Sequence, residues 1–157
     1  MKLNNAGKIE RLEKGRLLES HFTRLFTNTS SPTKDQDIHD HWDVQVNFKV
    51  DVKGMKKRSR RDPEPDENIH WIEIKNVMGS EGWLYGEADY FAFETKKYWI
   101  MGKKERLQEW VKYNIKREIV SKPEMYKLYR RKTAKDLITL VSSHDLYYLN
   151  TCVLLKD

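Results

Sequence analysis

The chain has 157 residues, 38% apolar and 34% charged, with 30 Lys and Arg against 24 Asp and Glu and a formal net charge of +6. That length holds one core but not two comfortable ones, and 11% aromatics exclude a disordered chain. Cys152 is the only cysteine, which excludes an intrachain disulfide and a Cys-rich zinc site. We therefore expect a single domain over 1–157 carrying one site.

In chain order, residues 6–27 predict a helix. Ile9, Leu12, Leu18, Phe22, Leu25 and Phe26 recur at three-to-four spacing. Glu19 breaks that pattern by placing a carboxylate on the apolar face, with Gly15 leaving room beside it. The helix is expected to give way at 28–32, and Thr33 to His41 reads as a polar, acidic connector. The connector's His39 and His41, alternating with Asp37, Asp40 and Asp43, have the residue types of a transition-metal site but fit a solvated linker better.

The period then changes to two. Over 42–47, Trp42, Val44 and Val46 share one face and Asp43, Gln45 and Asn47 the other. Over 48–54, Phe48, Val50 and Val52 stand opposite Lys49, Asp51 and Lys53. Two adjacent strands are thus expected to present acids and a lysine from one side.

A basic block at 56–61 followed by an acidic, proline-broken block at 62–67 predicts the end of a long hairpin. Strands are expected at 69–77, 90–93, 98–101, 125–129 and 137–141, and a glycine-flanked loop at 79–86 displays Trp83 and Tyr85. A helix over 103–117 buries Leu107, Trp110, Val111 and Ile115 on one face, and a short helix capped near Ser142 or Ser143 carries Leu146 and Tyr147. From Lys103 to Arg131, ten Lys and Arg face four Glu. Such a surface attracts polyanions through counterion release, unless it serves only as a solvated face. Residues 1–13 lack the apolar core of a signal peptide and no run approaches membrane-spanning length, so a cytoplasmic protein with no membrane partner is expected.

An acid-x-Lys triplet occurs three times, at Asp51-Val-Lys53, Glu73-Ile-Lys75 and Glu94-Thr-Lys96. On a strand, residues two apart point the same way, so acid and amine converge, and Asp43 approaches the first triplet from the preceding strand. Cleaving a phosphodiester requires hard oxygen ligands for a divalent cation, an activated water and a positive charge near the phosphate. Asp43, Asp51 and Lys53 supply those parts. In a second register Asp51 is the first acid and Glu73-Ile-Lys75 the triplet, so Glu73 and Lys75 are second-rank candidates. Ser143-His144-Asp145 has triad residue types, but sequence neighbours diverge in direction.

A helix with an inward Glu, then an Asp and an acid-x-Lys triplet on a strand pair, resembles the PD-(D/E)XK nuclease superfamily, which contains restriction enzymes and Holliday-junction resolvases. Trp42 stands where the motif has its proline. The stretch IHWIEIKNVMGSEGWLYGEADYFAFE, with DVKGMKK, also looks similar to small phage and mobile-element members. The resemblance implies an α/β fold with a central mixed sheet flanked by helices in the order α-β-β-β-α-β. It further implies Mg²⁺, or Mn²⁺, held by Asp43 and Asp51 with support from Glu19, and Lys53 beside the attacking water.

The substrate implied is duplex or branched DNA, cut in a bacterial or phage-infected cell, with a homodimer serving two-strand cutting. Lys56, Lys57, Arg58, Arg60, Arg61, Lys103 and Lys104 are then expected on phosphates, and Trp83 and Tyr85 on bases. The rival expectation is a nuclease-fold protein that binds nucleic acid through its basic face without cleaving it.

Overall fold

Two neighbouring strands with every central residue buried need cover on both faces, and this requirement shapes the molecule. The computed structural model describes residues 5–26, 29–59 and 61–156. Its elements are α1 (Asn5–Thr23), α2 (Lys34–His39), β1 (Val44–Gln45), β2 (Lys49–Lys53), β3 (Ile69–Lys75), a 3-10 turn (Trp83–Tyr85), β4 (Tyr90–Glu94) and β5 (Tyr98–Lys103). They continue with α3 (Lys104–Asn114), β6 (Lys116–Val120), β7 (Lys127–Tyr129), β8 (Leu137–Ser142), α4 (Ser143–Leu149) and β9 (Cys152–Leu155). The class is α/β, with two mixed sheets ordered β1-β2-β4-β5-β9 and β3-β8-β7-β6.

In the larger sheet β2 runs parallel to β4, with Asp51 opposite Phe91 and Lys53 opposite Phe93. Residues paired in register share a face. Val50, Val52, Ala92, Trp99 and Met101 therefore look one way, onto Phe22 of α1, where they form one core cluster. Phe91, Phe93 and Ile100 look the other way, onto Ile72 and Val141 of the second sheet and Leu107 and Val111 of α3. Phe22 is fully buried and stacks edge-on to Trp99 at 5.0 Å. Burial of such a side chain contributes about 1.5–3 kcal/mol.

Several expectations change. The single central sheet is two sheets, because β3 leaves its sequence neighbour β2 and pairs antiparallel with β8. The expected helix at 6–27 ends at Thr23, residue 27 lies outside the described residues, and packing begins only at Leu18, leaving Ile9 and Leu12 exposed. The 33–41 connector holds α2, whose Thr33 and Gln36 form a reciprocal capping box. The first strand shrinks to two residues. The helix at 103–117 stops at Asn114, and 116–120 turns into β6. The expected hairpin does not form, because β2 and β3 lie in different sheets, and 56–67 is instead a connecting loop closed by a bridge between Lys56 and Asp66. Among the described residues no helix is long and apolar enough to cross a membrane.

Candidate active site

Asp51 and Lys53 point away from α1, toward the face that Phe91 and Phe93 occupy, because Val50 and Val52 claim the other side of β2. Asp51 is thereby carried into the interior, 2% exposed, while Lys53 reaches the rim. The Lys53 Nζ lies 2.5 Å from Asp51 Oδ1 and 4.5 Å from the centre of the Trp83 ring. Trp83 in turn stands edge-on to Phe91 at 4.9 Å. The ammonium thus has a carboxylate on one side and a packed indole on another.

Asp43 arrives by a different route. Because β1 is only two residues long, the edge of β2 beyond Val50 lacks a neighbouring strand, and Asp43 takes its place. Its backbone N–H donates to the Val50 carbonyl at 2.9 Å, and its Oδ2 accepts the Val52 N–H at 2.6 Å. From α1, Glu19 completes the group across a cavity of about 350 Å³, which Asp37, His41 and Lys56 also line. All four residues singled out in sequence, Glu19, Asp43, Asp51 and Lys53, therefore face one cavity.

The electrostatics follow from burial. Asp51 is pushed up to about 8, first by desolvation; the Lys53 charge opposes this and Asp43 adds to it. Glu19 is pushed up to about 7 by burial and then by the charges of Asp43 and Asp37, with Arg16 opposing. Asp51 Oδ2 is buried and has no hydrogen-bond donor. Asp43 is close enough to raise Asp51 through its charge. Two carboxylates so placed need a proton or a cation between them.

Among the described residues, no three His, Cys, Asp or Glu side chains already converge as a metal site. Lys53 holds one Asp51 oxygen and the Val52 amide holds one Asp43 oxygen. The donor set nevertheless suits a hard divalent ion, since it consists of carboxylates and one of its buried oxygens is unpartnered.

The other candidates are dispersed. Glu73 reaches the neighbourhood from the second sheet rather than along a shared sheet face. Burial raises its carboxyl, while a hydrogen bond from the Trp83 backbone and the charge of Lys53 lower it. Lys75 is exposed past a bulge in β3, and its backbone forms an isolated antiparallel β-bridge with that of Glu81. In the third triplet, Glu94 pairs with Lys156 at 2.7 Å and accepts the Met55 N–H, which leaves it a structural anchor.

Of the described basic residues, only Lys56 joins Lys53 in lining the cavity. Lys57 and Arg58 lie further along the same connector, where the Lys57 carbonyl accepts the Trp71 indole and Arg58 approaches Met125 Sδ at 4.0 Å. Arg61 is exposed, and Arg60 lies outside the described residues. Lys103 is exposed at the start of α3 and Lys104 donates to the Gly86 carbonyl at 2.8 Å, both off the cavity wall. Trp83 packs inward under Lys53, whereas Tyr85 is 43% exposed.

His41 lines the cavity although its sequence context reads as linker. The Thr33-x-x-Gln36 capping box was the available signal, since a helix ending near His39 places His41 at a fixed turn. The chain matches no family model, no curated protein and no solved structure.

Proposed function

We propose that the protein is a metal-dependent nuclease that hydrolyses DNA phosphodiester bonds, as a divergent PD-(D/E)XK enzyme. The observation that carries this reading is the buried, donor-less Oδ2 of Asp51, facing Asp43 in a cavity that also holds Lys53 and Glu19. An unsatisfied buried carboxylate oxygen is destabilising unless a ligand completes it. Asp43 and Asp51 would hold Mg²⁺ or Mn²⁺, with Glu19 supporting it directly or through its water shell. When bound, such an ion lowers the pKa of a coordinated water and offsets charge on the phosphate.

The chain's own residues do the rest. Asp43 is locked by the Val52 amide, so its free oxygen has a fixed direction. Lys53, kept in place by Asp51 and Trp83, presents an ammonium at the rim, where it can orient the attacking water and neutralise the phosphorane. Glu19, held near 7, can take up or release a proton at neutral pH. Lys56 supplies a second positive charge at the cavity for a phosphate. In this reading the β1-β2-β4-β5-β9 sheet with α1 and α3 is the nuclease core, in a strand order that departs from α-β-β-β-α-β, and the β3-β8-β7-β6 sheet is an addition to it.

Purified protein is expected to nick plasmid or branched DNA with Mg²⁺ or Mn²⁺. Asp51→Ala and Lys53→Ala should each lower the rate by about 10²-fold or more. Undiminished cleavage in both variants would overturn the assignment. Salt-sensitive DNA binding without cleavage at any divalent ion concentration would support the non-cleaving nuclease-fold reading instead.

A further inference from the structure

Two clefts meet at His41. One is the carboxylate cavity; the other, of about 460 Å³, is lined by His39, His41, Tyr85, Asn76, Ser80 and Glu81, among others. Their chemistry differs sharply. The first holds Lys53, Lys56 and the acids, whereas among the described residues no lysine or arginine lines the second, and the one carboxylate among them there is Glu81. Among the described residues that line it, a phosphate would meet no positive side chain apart from imidazole. Flat, partly exposed rings at His39, His41 and Tyr85 instead offer stacking surfaces.

The second cleft is also firmly built. His41 follows the cap of α2 with φ at +55°, in the left-handed region where glycine is usual at a helix end. Its N–H donates to the Gln36 carbonyl at 3.2 Å, and the Glu87 N–H donates to the Asp40 carbonyl at 2.7 Å. The chain at Gly86 comes so near that a Cβ added there would stand 2.8 Å from His41 Cβ. Across the cleft, the Asn76 carboxamide ties down its own loop, accepting from the Met78 and Ser80 amides and donating to the Glu81 carbonyl. One wall is thus fixed by backbone contacts and the other by the Asn76 side chain, and His41 is the side chain they share with the carboxylate cavity.

We propose that this second cleft receives an unpaired nucleobase adjacent to the scissile phosphate, stacked on His41 and Tyr85. The substrate is then DNA with single-stranded character at the cut, such as a flap, gap or bulge, rather than continuous duplex. A base within a continuous duplex is stacked on its neighbours and cannot enter a side cleft without being extruded. Glu81 fits the same occupant, since a carboxylate repels phosphate but accepts from the exocyclic amine of a base. The location of the cut rests on the nuclease reading, whereas binding of the base does not.

The test is fluorescence anisotropy with the full chain in chelating buffer at fixed salt, using a labelled single strand and the duplex of the same sequence. The wild-type chain is expected to prefer the single strand. Tyr85→Ala should weaken single-strand binding by roughly five-fold or more and leave duplex binding unchanged, and His41→Asn, chosen because asparagine tolerates the left-handed backbone, should weaken single-strand binding by a similar factor and by more than it weakens duplex binding. Tyr85→Phe should restore it.

A preference for duplex, equal losses on both probes, or no loss on either would overturn the inference. Cleavage with Mg²⁺ is scored separately. Selective stacking without cleavage removes the nuclease reading and keeps the base cleft, whereas cleavage of continuous duplex that is indifferent to both variants removes the base cleft and keeps the nuclease.

Discussion

Replacing Asp51 by asparagine should make the metal-free protein more stable while abolishing its response to Mg²⁺. Asp51 is 2% exposed, carries one oxygen with no donor, and has its carboxyl raised from 3.8 to about 8, mainly by burial. Because the folded value lies above the unfolded one, the stability associated with this acid is fully present below pH 3.8 and is lost as pH rises through 8. At pH 7 that loss amounts to about 4 kcal/mol as an upper bound.

Asparagine has no such titration. It forfeits the contact with Lys53, but that side chain is 24% exposed and its ammonium can hydrate. This limits the penalty to about 1–2 kcal/mol, leaving a net gain of about 2 kcal/mol. Urea unfolding followed by tryptophan fluorescence at pH 7 in chelator reads this as a midpoint raised by about 1 M. Mg²⁺ at a hundred times its dissociation constant should then add about 2.7 kcal/mol to the wild-type chain and almost nothing to Asp51→Asn. A variant less stable than wild type by 1 kcal/mol or more, or one that gains as much from Mg²⁺, would refute the reasoning.

Gly82→Ala should cost about 1–3 kcal/mol and shift Trp83 fluorescence, because its Cβ would lie within the contact distance of the Glu73 carbonyl backbone and push the 3-10 turn off β3. Thermal unfolding with emission spectra checks this; an unchanged spectrum and midpoint would contradict it. His70, 2% exposed and lowered to about 4 by burial, should titrate against the fold. Its folded value lies below the unfolded 6.5, so stability is complete above pH 6.5 and is lost as pH falls toward 4, by about 3 kcal/mol. His70→Gln should flatten this part of the urea-stability profile between pH 7 and 4.5, and an unaltered profile would exclude His70 as its source.

Much of the candidate site was legible because its signals are local. Alternation in 42–54 placed Val50 and Val52 on one side and Asp51 and Lys53 on the other, and the register of β2 on β4 preserves that division. Glu19 stood out as a carboxylate in an apolar helix face, and α1 turns it onto the same cavity. Other features rest on pairings between distant segments. Trp83 was legible as an aromatic on a glycine-flanked loop, but its place beneath Lys53 depends on the turn docking against β3 and β4. His41 was hidden in a polar linker until α2 and the chain at Gly86 set its direction.

By itself the sequence determined the α/β class, the side of β2 on which acid and lysine emerge, and the residue types gathered there. Periodicity and side-chain chemistry operate over a few residues, so they survive without knowledge of the fold. Only the tertiary structure decided that β3 joins β8 some seventy residues away, that Asp51 is sealed from water, and that Asp43 substitutes for a missing strand at the Val52 amide. Strand partners are chosen by the joint burial of both faces of two sheets, a long-range balance that no window of sequence contains.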